Sequence, residues 1–148
     1  MSAGDLLGRI VRSLNEAGIK HMVAGSFAST YHGEPRTTQD IDIVIDGSRA
    51  AIKAFVASLD AESYYCDLDV ALDAHSRRGQ FNLVDMQSGW KIDFMIRKDR
   101  PFSVLEFSRR IPVTLLGCEL FVATAEDTII AKLDWARESL SERQLRDV

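Results

Sequence analysis

Two short motifs in the first third of the chain contain residue types that can bind a metal ion and a phosphate group. Gly25 and Ser26 follow a short apolar run, and after thirteen further residues come Asp40 and Asp42, separated by one isoleucine. Because successive side chains of a strand point to opposite faces, Asp40 and Asp42 are predicted to share one face, roughly 7 Å apart along the backbone. Two carboxylates on one face can hold Mg²⁺, which prefers hard oxygen ligands and often contacts substrate phosphates as well. The two motifs together indicate nucleotide chemistry.

A phosphate site is predicted at Gly25 and Ser26. Their position is that of a turn from a strand into a helix, where free backbone N–H groups can receive a phosphate. In this hypothesis Ser26 and neighbouring N–H groups hold the β- and γ-phosphates of a nucleoside triphosphate. Lys132 or Arg36 could offset the charge of the triphosphate, since lysine acts as a point charge and arginine as a bidentate fork.

A third aspartate, Asp93, lies in the stretch KIDFMI, the predicted second strand of a hairpin. Three carboxylates on neighbouring strands can hold two divalent ions about 3.5–4 Å apart, the arrangement that stabilises both oxygens in phosphoryl transfer. We therefore predict Asp40, Asp42 and Asp93 as catalytic ligands of Mg²⁺ or Mn²⁺. Asp40 and Asp42 would bridge the ions, and Asp93 would hold the ion that activates the nucleophile. The predicted reaction is in-line attack on the α-phosphorus of a nucleoside triphosphate, with release of pyrophosphate.

Each of these residues also has a structural explanation that involves no chemistry. Two alternating aspartates can form the solvated face of a strand, and Asp93 can pair with Lys91. Lys132 can be a surface lysine of a helix, and Arg36 can form a salt bridge with Glu34. The functional interpretation depends on the combination of the motifs.

Helices and strands alternate along the chain. Strands are predicted at residues 21–24, 40–45, 81–86, 90–96, 111–116 and 119–122. Helices are predicted from Ser2 to the stop at Gly18, at residues 27–31, from Ser48 to residue 59, at 102–107, from Thr124 onward and from Ser141 onward. Residues 67–72 fit a helix start or a strand, and we favour the helix because Asp67 and Asp69 suit a first turn.

The composition is that of an ordinary folded domain. The 148 residues carry a net charge of -4 and are 46% hydrophobic and 27% charged, and we expect a single domain over residues 1–148. The negative charge argues against broad nucleic-acid binding, although local arginine patches could contact a phosphate. Cys66 and Cys118 lack metal-ligand spacing and are expected to be reduced, partly buried thiols. No secretory leader and no apolar run near the ~20 residues of a membrane span is present, so we expect a cytoplasmic protein without membrane contact.

The set Gly25-Ser26, Asp40-Ile41-Asp42 and the later strand aspartate resembles the signature of the DNA-polymerase-beta-like nucleotidyltransferase superfamily. More narrowly, AGSFASTYHGEPRTTQDIDIVI, KIDFMI and EDTIIAKLDWARESLSERQLRDV resemble small bacterial nucleotidyltransferases of the AbiEii/MNT, toxin–antitoxin-related kind. The resemblance implies an α/β (α+β) fold, a mixed and largely antiparallel sheet flanked by helices. It implies that Asp40, Asp42 and Asp93 are metal carboxylates and that Gly25 and Ser26 contact phosphate. It also suggests that Lys132, with Arg143 and Asp147, completes a nucleotide pocket.

The leading hypothesis is a Mg²⁺-dependent enzyme that moves a nucleoside monophosphate from the triphosphate to an RNA end, a protein side chain or a small molecule. An alternative is a catalytically silent, antitoxin-like binding module of the same fold with a cognate protein partner. A weaker alternative is a glycosyltransferase that uses the two alternating aspartates to bind Mn²⁺. No separate acceptor domain is evident in the sequence. The helix that begins at Ser141 would have only about two turns, so we expect the natural chain to continue or this end to dock elsewhere.

Overall fold

The computed structural model describes residues 3–24, 40–115, 117–131 and 133 of the chain. Within these ranges the chain forms a seven-stranded sheet with helices on both faces. The elements are α1 (Ala3–Glu16), β1 (Lys20–Ala24), β2 (Asp40–Asp46), α2 (Arg49–Ser58), β3 (Tyr64–Tyr65), α3 (Leu68–Arg77), β4 (Gln80–Asp85), β5 (Lys91–Ile96), α4 (Pro101–Ser108), β6 (Ile111–Leu115) and β7 (Cys118–Val122). Residues 125–131 are helical as well.

The strand order in the sheet is β3-β4-β5-β2-β1-β7-β6. In the described part of the chain β2 pairs with β5 and β1 with β7 in parallel, and the other four strand pairs are antiparallel. The predicted fold class, a mixed and largely antiparallel sheet flanked by helices, is confirmed. The two strands that carry the aspartates, β2 and β5, are neighbours at the centre of the sheet.

One face of the sheet is covered by α1, α2 and α3 and contains the main hydrophobic core. On β2 and β5 every second side chain points into this core, and all of these are buried: Ile41, Ile43, Ile45, Ile92, Phe94 and Ile96. The amphipathic pattern of the helices supplies the opposite wall, with Leu6, Leu7, Ile10 and Leu14 from α1 and Ile52 and Phe55 from α2. The strict alternation in both strands therefore sends the intervening residues, the aspartates among them, to the other face.

The other face of the sheet has a smaller apolar cluster. Phe107 of α4 packs there with Met22 and Ala123, and Val44 contacts the same cluster. This cluster covers one end of β2 on this face. The face that carries the aspartates is thus partly covered by α4.

Most of the predicted elements are confirmed. The ambiguous segment at residues 67–72 begins a helix, capped by the Asp67 carboxylate, which accepts a hydrogen bond from the Val70 N–H at 3.1 Å. Gly117 lies in the turn between β6 and β7 with φ +78°, a conformation that favours glycine. The short edge strand β3 was not predicted, because its two tyrosines carry no periodic pattern. The helices predicted at residues 27–31 and from Ser141 lie outside the described residues.

The described residues also show whether a helix could span a membrane and whether the cysteines are bonded. None of their helices combines the length and the apolar character that a membrane crossing requires. Cys66 and Cys118 are free and half-buried, as predicted from their isolated positions.

His21 makes the stability of the fold depend on pH. Its side chain is buried, and its Nε2 accepts a hydrogen bond from the Phe121 N–H at 3.3 Å. Burial, and to a smaller extent the charge of Arg110, lowers the pKa of His21 to about 4. Between pH 4 and 6.5, His21 binds a proton in the unfolded chain but not in the folded chain. The free energy of unfolding therefore decreases as the pH is lowered through this range. The loss from this residue should be roughly 2–3 kcal/mol at pH 4.5.

The variant His21→Gln is expected to lose less stability on acidification, because its amide oxygen can still accept from Phe121 but does not titrate. Urea unfolding of both proteins at pH 7 and pH 4.5 measures the difference. Equal losses of unfolding free energy in the two proteins would contradict the assignment.

Candidate nucleotide and metal site

The structure brings the predicted carboxylates together on one face of the sheet. Asp42 of β2 and Asp93 of β5 are direct partners in the parallel register, and Asp40 is the partner of Lys91. Asp40 is exposed, whereas Asp42 is half-buried and the Asp93 side chain is 19% exposed. We call this face of β2 and β5 the acidic face. Solvent exposure decreases along it from Asp40 to Asp42 and Asp93.

The charges of these residues interact. The pKa of Asp42 is raised by burial first, then by the charges of Asp93 and Asp40, while Lys91 acts in the opposite direction. The Lys91 Nζ lies 3.6 Å from the Asp93 Oδ1, so the structural alternative for Asp93, a pair with Lys91, is formed. On Asp42, burial and the two neighbouring carboxylates outweigh the effect of Lys91. A divalent cation at Asp42 and Asp93 would relieve this repulsion.

The donor atoms of this site fit Mg²⁺. Carboxylate oxygens are its preferred protein ligands, and Mg²⁺ is commonly held by one or two carboxylates together with water and substrate phosphates. In the described residues no group of three or more His, Cys, Asp or Glu side chains is arranged so that it could hold an ion. Asp42 and Asp93 are direct partners in the register, so metal binding by this pair stays a prediction, as does the arrangement of two ions on three carboxylates.

Structural comparison relates the chain to a known fold. A crystal structure of a "putative nucleotidyltransferase" from Thermotoga maritima superposes with a TM-score of 0.63, over 99% of this chain and 94% of that chain. The chain has a nucleotidyltransferase fold. The two sequences are 19% identical, so the comparison concerns the fold. No family model matches the chain, and no curated protein matches its sequence.

In this nucleotidyltransferase fold, strand β1 ends beside the carboxylates. Its last residue, Ala24, is the register partner of Asp42, and Gly25 and Ser26 are the next residues of the chain. The predicted phosphate-binding residues Gly25, Ser26 and Arg36 lie outside the described residues, as does Lys132. Their roles stay predictions, but the described end of β1 is compatible with a phosphate site next to Asp42.

Sequence reasoning missed Glu106 of α4. Burial first, and then the charge of Asp127, raise its pKa to about 7, while Arg109 acts in the opposite direction. Glu106 lines a cavity of about 380 Å³ on the acidic face, together with Val44 and Met95. No motif marks this residue, because only the packing of α4 on the sheet makes it half-buried. A second cavity, of about 600 Å³, lies between α1 and the β6–β7 turn and belongs to another part of the molecule.

The repulsion within the acidic face can be measured directly. In the variant Asp93→Asn the pKa of Asp42 is expected to fall, because the second cause of its elevation is removed while burial and Asp40 remain. A carboxyl-detected NMR titration of both proteins without metal follows Asp42. The matched variant Asp99→Asn changes a carboxylate that pairs with Arg78 and Arg97 instead, and should leave the Asp42 titration unchanged. An unchanged pKa of Asp42 in Asp93→Asn would show that the two carboxylates do not interact.

Proposed function

We propose that this protein is a metal-dependent nucleotidyltransferase that moves a nucleoside monophosphate from a nucleoside triphosphate to an acceptor hydroxyl group. One observation carries the proposal. Asp42 and Asp93 are partners on adjacent parallel strands at the centre of a nucleotidyltransferase fold, beside the end of the strand that leads into Gly25 and Ser26. The raised pKa of Asp42 supports it, because a bound cation would offset its causes, burial first and then the charges of Asp93 and Asp40.

The residues of the site have distinct roles in the proposed reaction. The acceptor oxygen attacks the α-phosphorus, the bond from that phosphorus to the bridging oxygen breaks, and pyrophosphate leaves with that oxygen. Asp42 and Asp93 would hold Mg²⁺ or Mn²⁺, with the charge of Asp40 beside them, and the bound ion would supply positive charge to the phosphates and to the acceptor oxygen. Gly25 and Ser26 would bind the leaving phosphates, with Arg36 and Lys132 offsetting their charge. The proton of the acceptor hydroxyl passes to solvent or to a neighbouring carboxylate.

The resemblance to AbiEii/MNT-type proteins extends the proposal to a role in a toxin–antitoxin system. It is based on the sequence stretches around residues 24–45, 91–96 and 126–148. The acceptor classes compatible with this role are an RNA end, a protein side chain and a small hydroxylated molecule.

A transfer assay tests the proposed activity. The full chain is incubated with each of the four nucleoside triphosphates, labelled at the α-phosphate, in the presence of Mg²⁺ and of each acceptor class. We expect label on one acceptor class, stoichiometric release of pyrophosphate, and loss of both after addition of a chelator. Absence of triphosphate binding by calorimetry, together with absence of transfer to every acceptor, would refute the proposal.

A second candidate function is a binding module of the same fold that acts on a protein partner. It is favoured by the C-terminal helical segment, whose apolar residues Ile129, Ile130 and Leu133 are 57%, 47% and 65% exposed. Neighbouring exposed apolar side chains of this kind are typical of protein interaction sites. A stable complex with a protein partner, formed by a chain that does not bind triphosphate, would favour this function over the enzyme.

A further inference from the structure

A cavity of about 380 Å³ continues the acidic face beyond the carboxylate pair. Its floor includes Val44 and Met95, which are register partners and follow Asp42 and Asp93 by two residues. Two residues of a strand span roughly 7 Å, so the floor of the cavity begins at about this distance from Asp42 and Asp93. Ser103 and Glu106 of α4 contribute to its wall. The cavity therefore lies next to the proposed reaction centre.

The position of the cavity matches the requirement of an in-line reaction. In such a reaction the attacking oxygen and the leaving pyrophosphate stand on opposite sides of the α-phosphorus. Strand β1 runs antiparallel to β2, so it ends at Asp42 and leads toward the Asp40 end, away from the cavity. With the leaving phosphates bound at Gly25 and Ser26, the acceptor must approach from the Asp46 end. The cavity lies on that side.

The lining of the cavity indicates what kind of molecule it takes. The floor residues Val44 and Met95 are apolar, whereas Glu106 supplies the carboxylate of the lining. Lys98, which also lines the cavity, donates to the Arg78 carbonyl oxygen. The charge of Arg109 acts on the pKa of Glu106, but its guanidinium makes a bidentate pair with Asp127, with N···O distances of 2.8 and 3.1 Å. Arg97, also at the cavity, pairs with Asp46 at 3.6 Å and Asp99 at 3.7 Å. Glu106 is thus the carboxylate in the lining with which a ligand can pair.

We propose that this cavity binds the acceptor of the reaction, a small hydroxylated molecule with an apolar body whose hydrogen-bond donor, an amine or a second hydroxyl group, is bound by Glu106. The proposal rests on the proposed nucleotidyltransferase function and selects the small molecule among its acceptor classes. A concave, partly apolar cavity that also offers polar side chains, here Gln80, Ser103 and Glu106, is the kind of site that binds small molecules. Neither an RNA end nor a protein side chain requires it.

Binding of simple probe molecules tests the cavity without triphosphate or metal. The full chain, labelled at its methionine and valine methyl groups, is titrated at pH 8 with 6-amino-1-hexanol, 1,6-hexanediol and 1-hexanol. At this pH the carboxyl group of Glu106, with its pKa of about 7, is mostly ionised. We expect saturable shifts of the Met95 and Val44 methyl signals. The amino alcohol should bind at least about tenfold more tightly than 1-hexanol, since hydrogen bonds to charged groups are the stronger ones.

Variants separate the role of Glu106 from general effects on the fold. Glu106→Gln should weaken 6-amino-1-hexanol at least about tenfold and change 1,6-hexanediol much less, because the amide can still accept a hydrogen bond but carries no charge. Glu62→Gln, at an exposed position outside the cavity, should change neither probe. Ser103→Trp should fill the cavity and remove binding of all three. Probes that leave Met95 and Val44 unaffected, or bind Glu106→Gln and the native chain equally, would overturn the proposal.

The same experiment distinguishes failure of the cavity from failure of the enzyme. If the protein transfers nucleotide but the Met95 and Val44 signals do not respond to probes, the assignment of the acceptor cavity alone is wrong. If the probes bind but no transfer to any acceptor is found, the proposed function fails, and the acceptor role with it. In an active enzyme, Glu106→Gln should raise the KM of the acceptor while the KM of the triphosphate stays unchanged.

Discussion

Replacing Asp42 with asparagine is expected to reduce nucleotidyl transfer by about a thousandfold without unfolding the protein. Asp42 is the partner of Asp93 at the centre of the acidic face, and its substitution removes one of the two carboxylates proposed to hold the metal ion. Loss of one group that stabilises a developing charge in the transition state commonly lowers the rate about 10²–10³-fold. Loss of the proposed metal ion should lower the rate at least as much, because the ion would act on several oxygens at once. Asparagine preserves the shape of the side chain and removes a repelling charge, so stability should not fall.

The control for this variant is Asp69→Asn. Asp69 is exposed in the first turn of α3, outside the acidic face, and its substitution should leave transfer within about twofold of the native value. Single-turnover rates with saturating triphosphate and Mg²⁺ are compared for the three proteins, together with their unfolding midpoints in urea. If Asp42→Asn transfers nucleotide as fast as Asp69→Asn, the proposed chemistry is excluded, even though the chain has a nucleotidyltransferase fold.

The sequence predicted the faces of the two central strands because alternation is a local property. In β2 and β5 every second residue is a large apolar one, and only one orientation of each strand buries them all. The same alternation fixes the direction of Asp40, Asp42 and Asp93 without any knowledge of the fold. A local signal also sufficed for the helix start at Ser48, whose side chain accepts from the Ala51 N–H. At residues 67–72 it favoured the helix over a strand, but the cap by Asp67 emerged only from the structure.

The register between the two strands could not be predicted from the residues alone. Strands β2 and β5 are separated by two helices, β3 and β4 in the chain, and no turn connects them directly. Parallel pairing of such distant segments depends on the packing of the whole domain. A shift by one residue would have placed Asp42 opposite an apolar residue. For the same reason, the cavity and Glu106 were not foreseen, since they arise where α4 packs against strands that precede it.

Phe94→Ala is expected to have the largest effect on stability. Phe94 is fully buried, stacked on Phe81 with ring centroids 5.0 Å apart and in edge contact with Phe55 at 5.4 Å. Truncation of a phenylalanine in a closely packed core removes its transfer free energy and leaves a cavity, at a cost of about 3–5 kcal/mol. Since domains of this kind unfold at about 5–15 kcal/mol, the variant should lose a large share of its stability. Urea unfolding followed by circular dichroism measures this as a lower midpoint at unchanged slope.

The result also bears on the position of the candidate site, because Phe94 and Asp93 are adjacent residues of one strand. Tyr65→Ala, a truncation of an aromatic residue that is 59% exposed on the edge strand β3, is the control and should cost less than about 1 kcal/mol. A similar small cost for Phe94→Ala would mean that its side chain does not point into the core. Alternation along β5 would then turn Asp93 into the core in its place, away from Asp42. The expected loss of 3–5 kcal/mol therefore tests, without any assay of activity, whether Asp93 lies on the acidic face.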